Sequence, residues 1–577
     1  MKYGIIGAGP SGLTMALFLK EKCQVLEKNN HPGGHASSFT EKGFTFDYGP
    51  HIMFSKNKNI LDFMIATLKN NVQKCRRNNK ISYKGRLIKY PFENDLKSLP
   101  LEDNFECLKT YLFNPYKKKY KNPQNLRQWL LSHFGKGICE KYLFPYNEKV
   151  WRIPVSKLSM IWTERIPLPP ALDIIKSSIG FETEGYLHQL YYYYPLRGGY
   201  QAISNAWAKK VPVRYNFTVK KVEKTRQGKF IVSDGRERLM FDRIISTIPI
   251  HELVKLINIP IPGRVKRAIK GLIVNPTYGV CLGIKGVDKN KFTAVYFPEA
   301  SFLVNRINFP KTFSPFNAPK GYYSLQAEIV CRKDAKIWRE KDDVIIDHVI
   351  DGLIERRIIE NRKDIVYKKV LRSEYAYVVY DTEYEKNTDI IRSWFPKQGI
   401  HLVGRFSYFE YVNVDMVIAR SLEIASLLNK SEKISILSPA HQNEGNIRQF
   451  AEAVFKDVVK PLQKQGIKTE VIIAEDGSTD KTGEILQSLQ KKYPLKLLLA
   501  KERLGPVQAI KNLFAEASGD LIFFLDSDGE ISPRYFWNLY EVFKKENLGV
   551  AVAYKMKRKP WYRFLISRVN NFWLQLL

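Results

Sequence analysis

The chain has 577 residues, enough for several domains, and 92 Lys and Arg against 58 Asp and Glu give it a net charge of +34. With 44% apolar and 26% charged residues, its composition is that of folded globular domains and excludes a mostly disordered protein. The excess of basic residues indicates either an anionic partner or a lysine-rich bias of the genome.

The six cysteines are scattered and form no Cys-x-x-Cys pair, which argues against a disulfide framework or a zinc site and favours a reducing compartment. No signal-peptide pattern precedes the first apolar segment, and no window reaches about 18 uninterrupted apolar residues. We therefore expect a cytoplasmic protein without a membrane-spanning helix.

The N-terminal segment has the pattern of a βαβ unit. A short apolar strand is predicted at residues 3–6, followed by a glycine-rich turn at 7–12, a helix at 13–21 and a second strand at 24–27. This order is typical of dinucleotide-binding domains, in which the pyrophosphate lies against the N-terminus of the helix. A lone glycine-rich motif would be weak evidence, but here the surrounding elements occur in register with it.

Four residues of this unit have distinct predicted roles. Gly7 would allow the tight turn, Gly9 would let the backbone approach a pyrophosphate, and Gly12 would let helix and strand pack closely. Glu27 ends the second strand, where its carboxylate would accept hydrogen bonds from ribose hydroxyl groups.

Later segments favour FAD over NAD as the dinucleotide. The pair Gly33 and Gly34 resembles the second glycine-rich turn of glutathione-reductase-like flavoproteins, which passes the flavin. The predicted strand in 241–249 ends in Thr-Ile-Pro, and 401–406 contains a Gly-Arg pair. Both stretches are similar to cofactor-binding segments of the same superfamily.

The sequence pattern restarts near residue 430. A closing helix is predicted at 414–428, followed by a polar stretch and a new apolar strand at 434–438. We therefore interpret residues 1–430 and 431–577 as separate units. Strands and helices alternate in the second unit, which predicts a parallel sheet with helices on its faces.

Residues 1–430 resemble the UDP-galactopyranose mutase family, particularly its eukaryotic type. The matching stretches include Gly49–Ser55, Tyr90–Asn94, Phe144–Trp151, Trp162–Arg165, Tyr194–Gly199, Tyr296–Glu299 and Gly404–Phe406. The resemblance implies a Rossmann-like, glutathione-reductase-like FAD domain with helical and sheet insertions for the substrate. It also implies a reaction without net redox change, in which N5 of reduced flavin displaces UDP and the sugar recloses as a furanose.

The resemblance further implies a set of site residues. Arg165 and Arg306 would clamp the diphosphate, and His51 would lie near the flavin. The other implied contacts are Ser11, Val219 and Arg405 for the cofactor, and Asn147, Trp151, Tyr296, Tyr377, Tyr411 and Asn413 for the UDP-sugar. Arginine suits a leaving diphosphate, because it is always charged and can form two parallel hydrogen bonds.

Simpler interpretations of some of these residues stay open. Arg165 and Arg306 could be arginines stacked on surface aromatic rings. His51 could be a structural histidine, and Tyr377, which lies in an alternating strand pattern, could serve sheet packing instead. Glu93 stands where the family often has Gln, which leaves the exact sugar open.

Residues 434–530 resemble family 2 inverting glycosyltransferases with the A-type α/β fold, of the dolichol-phosphate mannosyltransferase kind. Three predicted strands end in loops that would bind the nucleotide through Pro439, Glu444 and Asp476, and Mg²⁺ or Mn²⁺ through Asp526 and Asp528. Two Asp residues one apart at a strand end can both face a hard cation that bridges to phosphates. A solvated turn is the alternative interpretation.

The family domain normally continues past the stretch at 559–568, so we expect this transferase domain to be incomplete at its C-terminus. Residues 555–577 combine basic and aromatic side chains without an acid. This composition predicts either an interfacial helix on an anionic membrane or a buried helix. A polyprenyl phosphate or a glycan would be the acceptor, and the protein would lie at the inner face of the cell membrane.

Two rival functions remain for the first unit. Its N-terminal motifs are shared with FAD oxidoreductases of the amine-oxidase or protoporphyrinogen-oxidase type, whereas the arginine pair and the nucleotide-pocket motifs favour the mutase. A degenerate flavoprotein scaffold is disfavoured by the intact glycine motif and Glu27. Nucleic acid is not an expected partner, because no recognition module accompanies the positive charge.

Overall fold

The computed structural model describes residues 1–19, 22–184, 190–289, 291–429, 433–465, 467–546 and 550–552. The chain divides into two compact units, Met1–Asn429 and Lys430–Leu577. The basic and aromatic segment 555–577 lies outside the described residues. Among the helices in the described ranges, none is both long enough and apolar enough to cross a membrane.

The α-helices of the first unit are α1 (Pro10–Phe18), α2 (Lys58–Leu68), α3 (Leu101–Leu112), α4 (Tyr116–Lys119), α5 (Leu126–Ile138), α6 (Phe144–Trp151), α7 (Ala171–Ser178), α8 (Gln201–Ala208), α9 (Ile250–Leu256), α10 (Gly263–Lys270), α11 (Pro310–Phe313), α12 (Asp342–Glu355), α13 (Tyr384–Trp394) and α14 (Val414–Asn429). Those of the second unit are α15 (Ile447–Val454), α16 (Lys460–Lys464), α17 (Thr482–Gln490), α18 (Pro506–Glu516) and α19 (Tyr535–Glu546).

The strands of the first unit are β1 (Lys2–Ile6), β2 (Lys22–Leu26), β3 (Ser38–Glu41), β4 (Phe44–Asp47), β5 (Gln73–Arg76), β6 (Asn79–Tyr83), β7 (Arg86–Lys89), β8 (Tyr191–Tyr194), β9 (Val213–Arg214), β10 (Lys221–Lys224), β11 (Phe230–Ser233), β12 (Arg238–Phe241), β13 (Arg243–Ser246), β14 (Ile257–Asn258), β15 (Val274–Lys285), β16 (Ala294–Tyr296), β17 (Arg306–Asn308), β18 (Tyr322–Val330), β19 (Ile365–Val378) and β20 (Ile400–Leu402). Those of the second unit are β21 (Lys433–Ala440), β22 (Lys468–Glu475), β23 (Leu495–Leu499) and β24 (Leu521–Phe524).

A parallel five-stranded sheet in the order β20-β13-β1-β2-β9 forms the Rossmann-like part of the first unit. Side chains of β1, β2 and β13, including Ile5, Val25 and Ile245, pack in one core with Leu13 of α1. Pro10 is tolerated in the first turn of α1, because the N–H that it lacks would have no partner inside the helix. The predicted βαβ unit is thus confirmed, with the glycine-rich turn at the carboxyl end of β1.

A mixed seven-stranded sheet in the order β19-β15-β18-β17-β16-β6-β7 provides the platform beside it. Residues Val349 and Leu353 of α12 pack against buried side chains of this sheet. Helices α3, α5 and α6 enclose a separate core that includes Leu130 and Trp151. The sheet and the helices are the two kinds of insertion that the sequence predicted.

The second unit is a four-stranded parallel sheet in the order β23-β22-β21-β24. Alternate residues of its strands point to opposite faces, as the period of a strand requires. Ile436 and Ile473 pack towards α15 and α17, whereas Leu437 and Ile472 pack towards α18. This is the predicted sheet with helices on both faces.

Candidate functional site

A cavity of about 1740 Å³ in the first unit brings most of the predicted site residues together. Drug-sized ligands occupy pockets of roughly 300–1,000 Å³, so this volume could hold a dinucleotide together with a further ligand. The predicted residues at its wall are Gly7, Gly9, Ser11, Glu27, Gly34, His51, Arg165, Val219, Tyr296, Arg306, Tyr377, Arg405, Tyr411 and Asn413.

The glycine-rich turn leaves open space in this cavity. A Cβ added at Gly9 would find no heavy atom nearer than the carbonyl oxygen of Gly33, 3.8 Å away. A Cβ added at Gly12 would instead lie 2.0 Å from the carbonyl oxygen of Gly7. Gly12 therefore permits the close packing of α1 on β1, whereas Gly9 keeps free a surface on which a pyrophosphate could lie.

Glu27 is fixed at the end of β2 by backbone donors. Its Oε2 accepts a hydrogen bond from the N–H of Ala8 at 2.7 Å, and its Oε1 accepts one from Asn29 at 2.9 Å. An ionised carboxylate has about four acceptor positions, so these two bonds leave capacity for ribose hydroxyl groups. The open turn and the oriented carboxylate fit the dinucleotide part of FAD.

The middle of the cavity contains His35, His51 and Arg405. Burial, together with the charge of Arg405, lowers the pKa of both histidines to about 4, so both are neutral at pH 7. The Nδ1–H of His51 donates to the carbonyl oxygen of Gly49 at 2.6 Å, which makes Nε2 the unprotonated nitrogen. The buried Nε of Arg405 has no hydrogen-bond partner among the described residues.

Arg306 lies at the cavity wall on the seven-stranded sheet, beside Glu328, a carboxylate that the sequence did not indicate. The register of β16, β17 and β18 aligns Tyr296, Arg306 and Glu328 as direct neighbours across the sheet. A terminal nitrogen of Arg306 donates to Glu328 at 2.7 Å. The Nε of Arg306 is buried and has no partner among the described residues, so the guanidinium keeps a donor for a ligand.

Glu328 is surrounded by donors that keep it charged. It accepts hydrogen bonds from the hydroxyl of Tyr377 and from the amide of Asn305. Burial opposes its ionisation, but the charge of Arg306 and these hydrogen bonds outweigh burial and lower its pKa below the ordinary value. The carboxylate of Glu328 in turn raises the pKa of Arg306, so the pair remains ionised although it is buried.

Arg165 is the last residue of a 3₁₀ turn, Met160–Arg165. Its guanidinium lies 5.2 Å from the ring centre of Tyr411, and that of Arg405 lies 3.8 Å from the same ring. Neither Arg165 nor Arg405 has a carboxylate within salt-bridge distance in the described ranges. Two guanidinium groups without a salt bridge therefore contact one aromatic ring at the cavity wall, and the carboxylate of Asp415 lies near enough to Arg165 for their charges to interact.

Two predicted substrate residues do not reach the cavity wall. Asn147 donates to the carbonyl oxygen of Leu143 at 2.7 Å and accepts from the indole N–H of Trp151. The buried Trp151 ring packs against Tyr411 at 5.6 Å. The structure places both residues behind the wall, where they support Tyr411 rather than line the space.

Tyr377 serves the sheet and the cavity at once, because it is buried in β19 and also lines the wall.

In the second unit, three loops meet at the carboxyl ends of the parallel strands. Asp476 accepts hydrogen bonds from the backbone N–H groups of Leu504 and Gly505, and Glu444 accepts one from Lys481. The hydroxyl of Ser527 donates to the carbonyl oxygen of Pro439 at 2.6 Å. These bonds fix the loop of Pro439 and Glu444 beside the loops of Asp476 and Ser527.

Asp526 and Asp528 are exposed at this edge of the sheet. Partial desolvation and the charges of Asp528 and Glu530 raise the pKa of Asp526. Within the described ranges, no group of three or more Asp, Glu, His or Cys side chains is arranged to hold a metal ion. The protein alone would thus supply two carboxylates, and further ligands would come from water or from phosphate.

The family model for flavin containing amine oxidoreductase matches residues 10–416. The chain belongs to this family. A second family model, glycosyl transferase family 2, matches residues 435–573, so the flavin-family region is followed in the chain by a glycosyltransferase-family domain.

Solved structures agree with the first match. The crystal structure of reduced UDP-galactopyranose mutase is 25% identical with a TM-score of 0.68, and the match covers 74% of this chain and 93% of that one. Putrescine oxidase bound to putrescine shares the fold, with 16% identity, a TM-score of 0.55 and coverage of 74% and 99%.

A curated relative matches the second unit. Dolichol-phosphate mannosyltransferase from Pyrococcus furiosus is 31% identical over 141 residues, which is 24% of this chain and 38% of that protein. The chain thus spans well under two thirds of the length of this relative.

Gly9→Trp is expected to abolish FAD binding, because the indole would fill the space left free at the glycine-rich turn. The measurement is the flavin absorbance of purified protein after incubation with excess FAD. Gly263→Trp is a matched control, since Gly263 is exposed, lies away from the cavity wall, and a side chain there would meet only the flexible end of Arg267 at 3.5 Å. Equal flavin content in the two variants would contradict the assignment of this turn.

Proposed function

We propose that residues 1–430 form a flavin-dependent nucleotide-sugar mutase that interconverts UDP-galactopyranose and UDP-galactofuranose, or a related pair of sugars. The observation that carries the proposal is the set of three arginines, Arg165, Arg306 and Arg405, at the wall of the cavity that also contains the glycine-rich turn. Glu328 pairs with Arg306 only. The guanidinium groups of Arg165 and Arg405, which have no salt bridge in the described ranges, would attract an anionic substrate such as a nucleoside diphosphate sugar.

The residues of the chain would bind and orient both ligands. The glycine-rich turn and Glu27 would hold FAD, which in its reduced form supplies a nucleophilic ring nitrogen for the anomeric carbon. Arg165 and Arg306 would stabilise the negative charge that grows on the diphosphate as its bond to the sugar breaks. The ring of Tyr411 would hold Arg165 and Arg405 in place while Arg165 stabilises the charge on the leaving diphosphate.

An FAD oxidoreductase of the amine-oxidase or protoporphyrinogen-oxidase type is the second candidate, and the family match favours it. Arg165 and Arg405 argue against an amine substrate beside Tyr411, because an amine is cationic at neutral pH and the two guanidinium groups would repel it there. The two candidates also differ in their electron balance. An oxidase consumes one electron acceptor for each product, whereas a mutase consumes none.

For the second unit we propose transfer of a sugar from a nucleotide sugar in cell-surface glycan synthesis. The acceptor would be a polyprenyl phosphate or a glycan, which the name of the Pyrococcus furiosus relative supports. Asp526 and Asp528 fit Mg²⁺ or Mn²⁺, because a divalent cation would relieve the repulsion that raises the pKa of Asp526.

All six cysteines are free thiols, which supports action in the cytoplasm, at the inner face of the membrane.

Replacing the proposed diphosphate ligands is expected to reduce mutase turnover more than FAD content. Arg165→Ala loses charge-assisted hydrogen bonds worth about 1.5–3 kcal/mol, or roughly 10- to 150-fold in rate. Arg306→Lys keeps the charge beside Glu328 but loses the fork of donors, and we expect a decrease of about tenfold. The measurement is turnover of UDP-galactofuranose per bound flavin.

Arg197→Ala is the matched control for this series, because Arg197 also stacks on an aromatic ring, that of Phe316 at 3.7 Å, but does not line the cavity. Its turnover per flavin is expected to stay unchanged. Arg165→Ala kinetics equal to those of this control would remove Arg165 from the proposed active site.

Nucleotide binding by the second unit is expected to depend on a divalent cation. Replacing both Asp526 and Asp528 by Asn would remove the metal ligands, so UDP affinity in the presence of Mn²⁺ should fall to its metal-free value. Isothermal titration of the full chain measures this as the difference in UDP binding with and without Mn²⁺, because the UDP site proposed in the first unit uses arginines and no metal. Glu484→Gln with Glu541→Gln removes the same charge from two exposed helix positions and should change nothing. Metal-independent binding in all variants would show that the acidic pair is only a turn.

A further inference from the structure

Helix α3 presents an apolar face to solvent instead of to the core. Its buried side chains are Asp103, Cys107 and Tyr111. Leu101, Phe105 and Leu112 follow each other at helical spacing on the other side, with exposed fractions of 82%, 63% and 47%. Leucine and phenylalanine in such a row normally cover a core, so this face is suited to an apolar partner.

Helix α7 packs beside α3 and also exposes apolar side chains. The amide of Asn104 on α3 donates to the carbonyl oxygen of Ser178 at the end of α7, at 2.9 Å. Leu172 of α7 and Ile179, which directly follows α7, are 58% and 63% exposed. We call the surface formed by Leu101, Phe105, Leu112, Phe113, Leu172 and Ile179 the α3–α7 face.

Lysines that lack ion pairs adjoin this face. Phe113 is 78% exposed and directly follows α3, and Lys117, Lys118, Lys119 and Lys121 come next in the chain. Residues 107–139 contain seven Lys and Arg and no Asp or Glu. Lys109 and these four lysines are exposed and have no carboxylate within salt-bridge distance in the described ranges.

The acids near the α3–α7 face do not neutralise these lysines. Asp103 is buried and pairs with Lys84 and Lys141, and Glu106 also pairs with Lys141. Glu102, exposed at the start of α3, and Asp173, half-buried in the first turn of α7, are the acids beside the face without a salt bridge in the described ranges. The C-terminal end of α3 and the turn after it are therefore both apolar and strongly positive.

We propose that the α3–α7 face docks on an anionic membrane surface, with its Leu and Phe side chains at the level of the lipid head groups and Lys117, Lys118 and Lys119 on lipid phosphates. Exposed apolar side chains next to unpaired lysines are the combination that binds such surfaces. A second copy of the chain fits less well, because pairing the face with itself would oppose one lysine cluster to another. The proposal concerns the first unit and is independent of its activity and of residues 555–577.

A fluorophore placed on the face would test this in the full-length protein. Phe113→Cys is labelled with an environment-sensitive dye, and Val287→Cys, at a position 79% exposed and away from the face, is the control. The native cysteines are buried or half-buried and compete little for the dye. We expect a blue shift of the dye at position 113, and none at 287, when vesicles of phosphatidylglycerol and phosphatidylcholine are added. Vesicles of phosphatidylcholine alone should give no shift at either position.

Two triple variants that remove equal charge distinguish binding through this face from attraction by the net charge of the protein. Lys117→Gln, Lys118→Gln and Lys119→Gln together should weaken the vesicle-dependent shift at position 113 by roughly 100-fold in lipid concentration. Arg264→Gln, Lys266→Gln and Lys270→Gln remove the same charge from α10 and should leave the shift at position 113 unchanged.

Three results would overturn the proposal. The first is an equal shift at positions 113 and 287. The second is an equal loss in the two triple variants. The third is a shift at position 113 that follows protein concentration without vesicles, which would identify a second copy as the partner.

Discussion

The buried ion pair between Arg306 and Glu328 is the interaction on which the arrangement of the cavity depends. A guanidinium can be kept charged away from water only if a carboxylate and further hydrogen bonds compensate for its lost hydration. The seven-stranded sheet provides this by placing Glu328 directly across from Arg306, with Tyr377 and Asn305 donating to the same carboxylate. Arg306 is thereby positioned before any ligand arrives, which is the condition for electrostatic catalysis without reorganisation.

At the glycine-rich turn, the cavity offers open space. The open side of Gly9 and the backbone-bound carboxylate of Glu27 would accept the dinucleotide part of FAD. Arg165 and Arg405 line the same cavity and contact the ring of Tyr411. The flavoprotein fold is shared with amine oxidases, but arginines without a salt bridge beside a cofactor pocket suit a substrate that carries phosphate. The arginines of this cavity therefore bear on the function more directly than the fold does.

Much of the fold followed from local sequence patterns, because the turn at residues 7–12 and the alternating strands of the second unit need only short-range information. Residues whose roles depend on distant strands were harder to predict. Glu328 was missed, although Gln326 and Glu328 are polar residues on one face of an apolar strand. Asn147 and Trp151 are near the site but face the core, because the side chain of Asn147 donates to the carbonyl oxygen of Leu143, four residues earlier in the chain. The motif that contains Asn147 and Trp151 gave their positions in the sequence but not the direction in which their side chains point.

The central claim is that the first unit isomerises a nucleotide sugar without net oxidation or reduction. The most direct measurement is incubation of dithionite-reduced protein with UDP-galactofuranose, with UDP-galactopyranose followed by chromatography. The account predicts many turnovers for each reduced flavin, none with oxidised flavin, and no consumption of a reductant in step with product. Absence of UDP-galactopyranose and of any other nucleotide-sugar isomer, or consumption of NAD(P)H or oxygen in a fixed ratio to product, would contradict it.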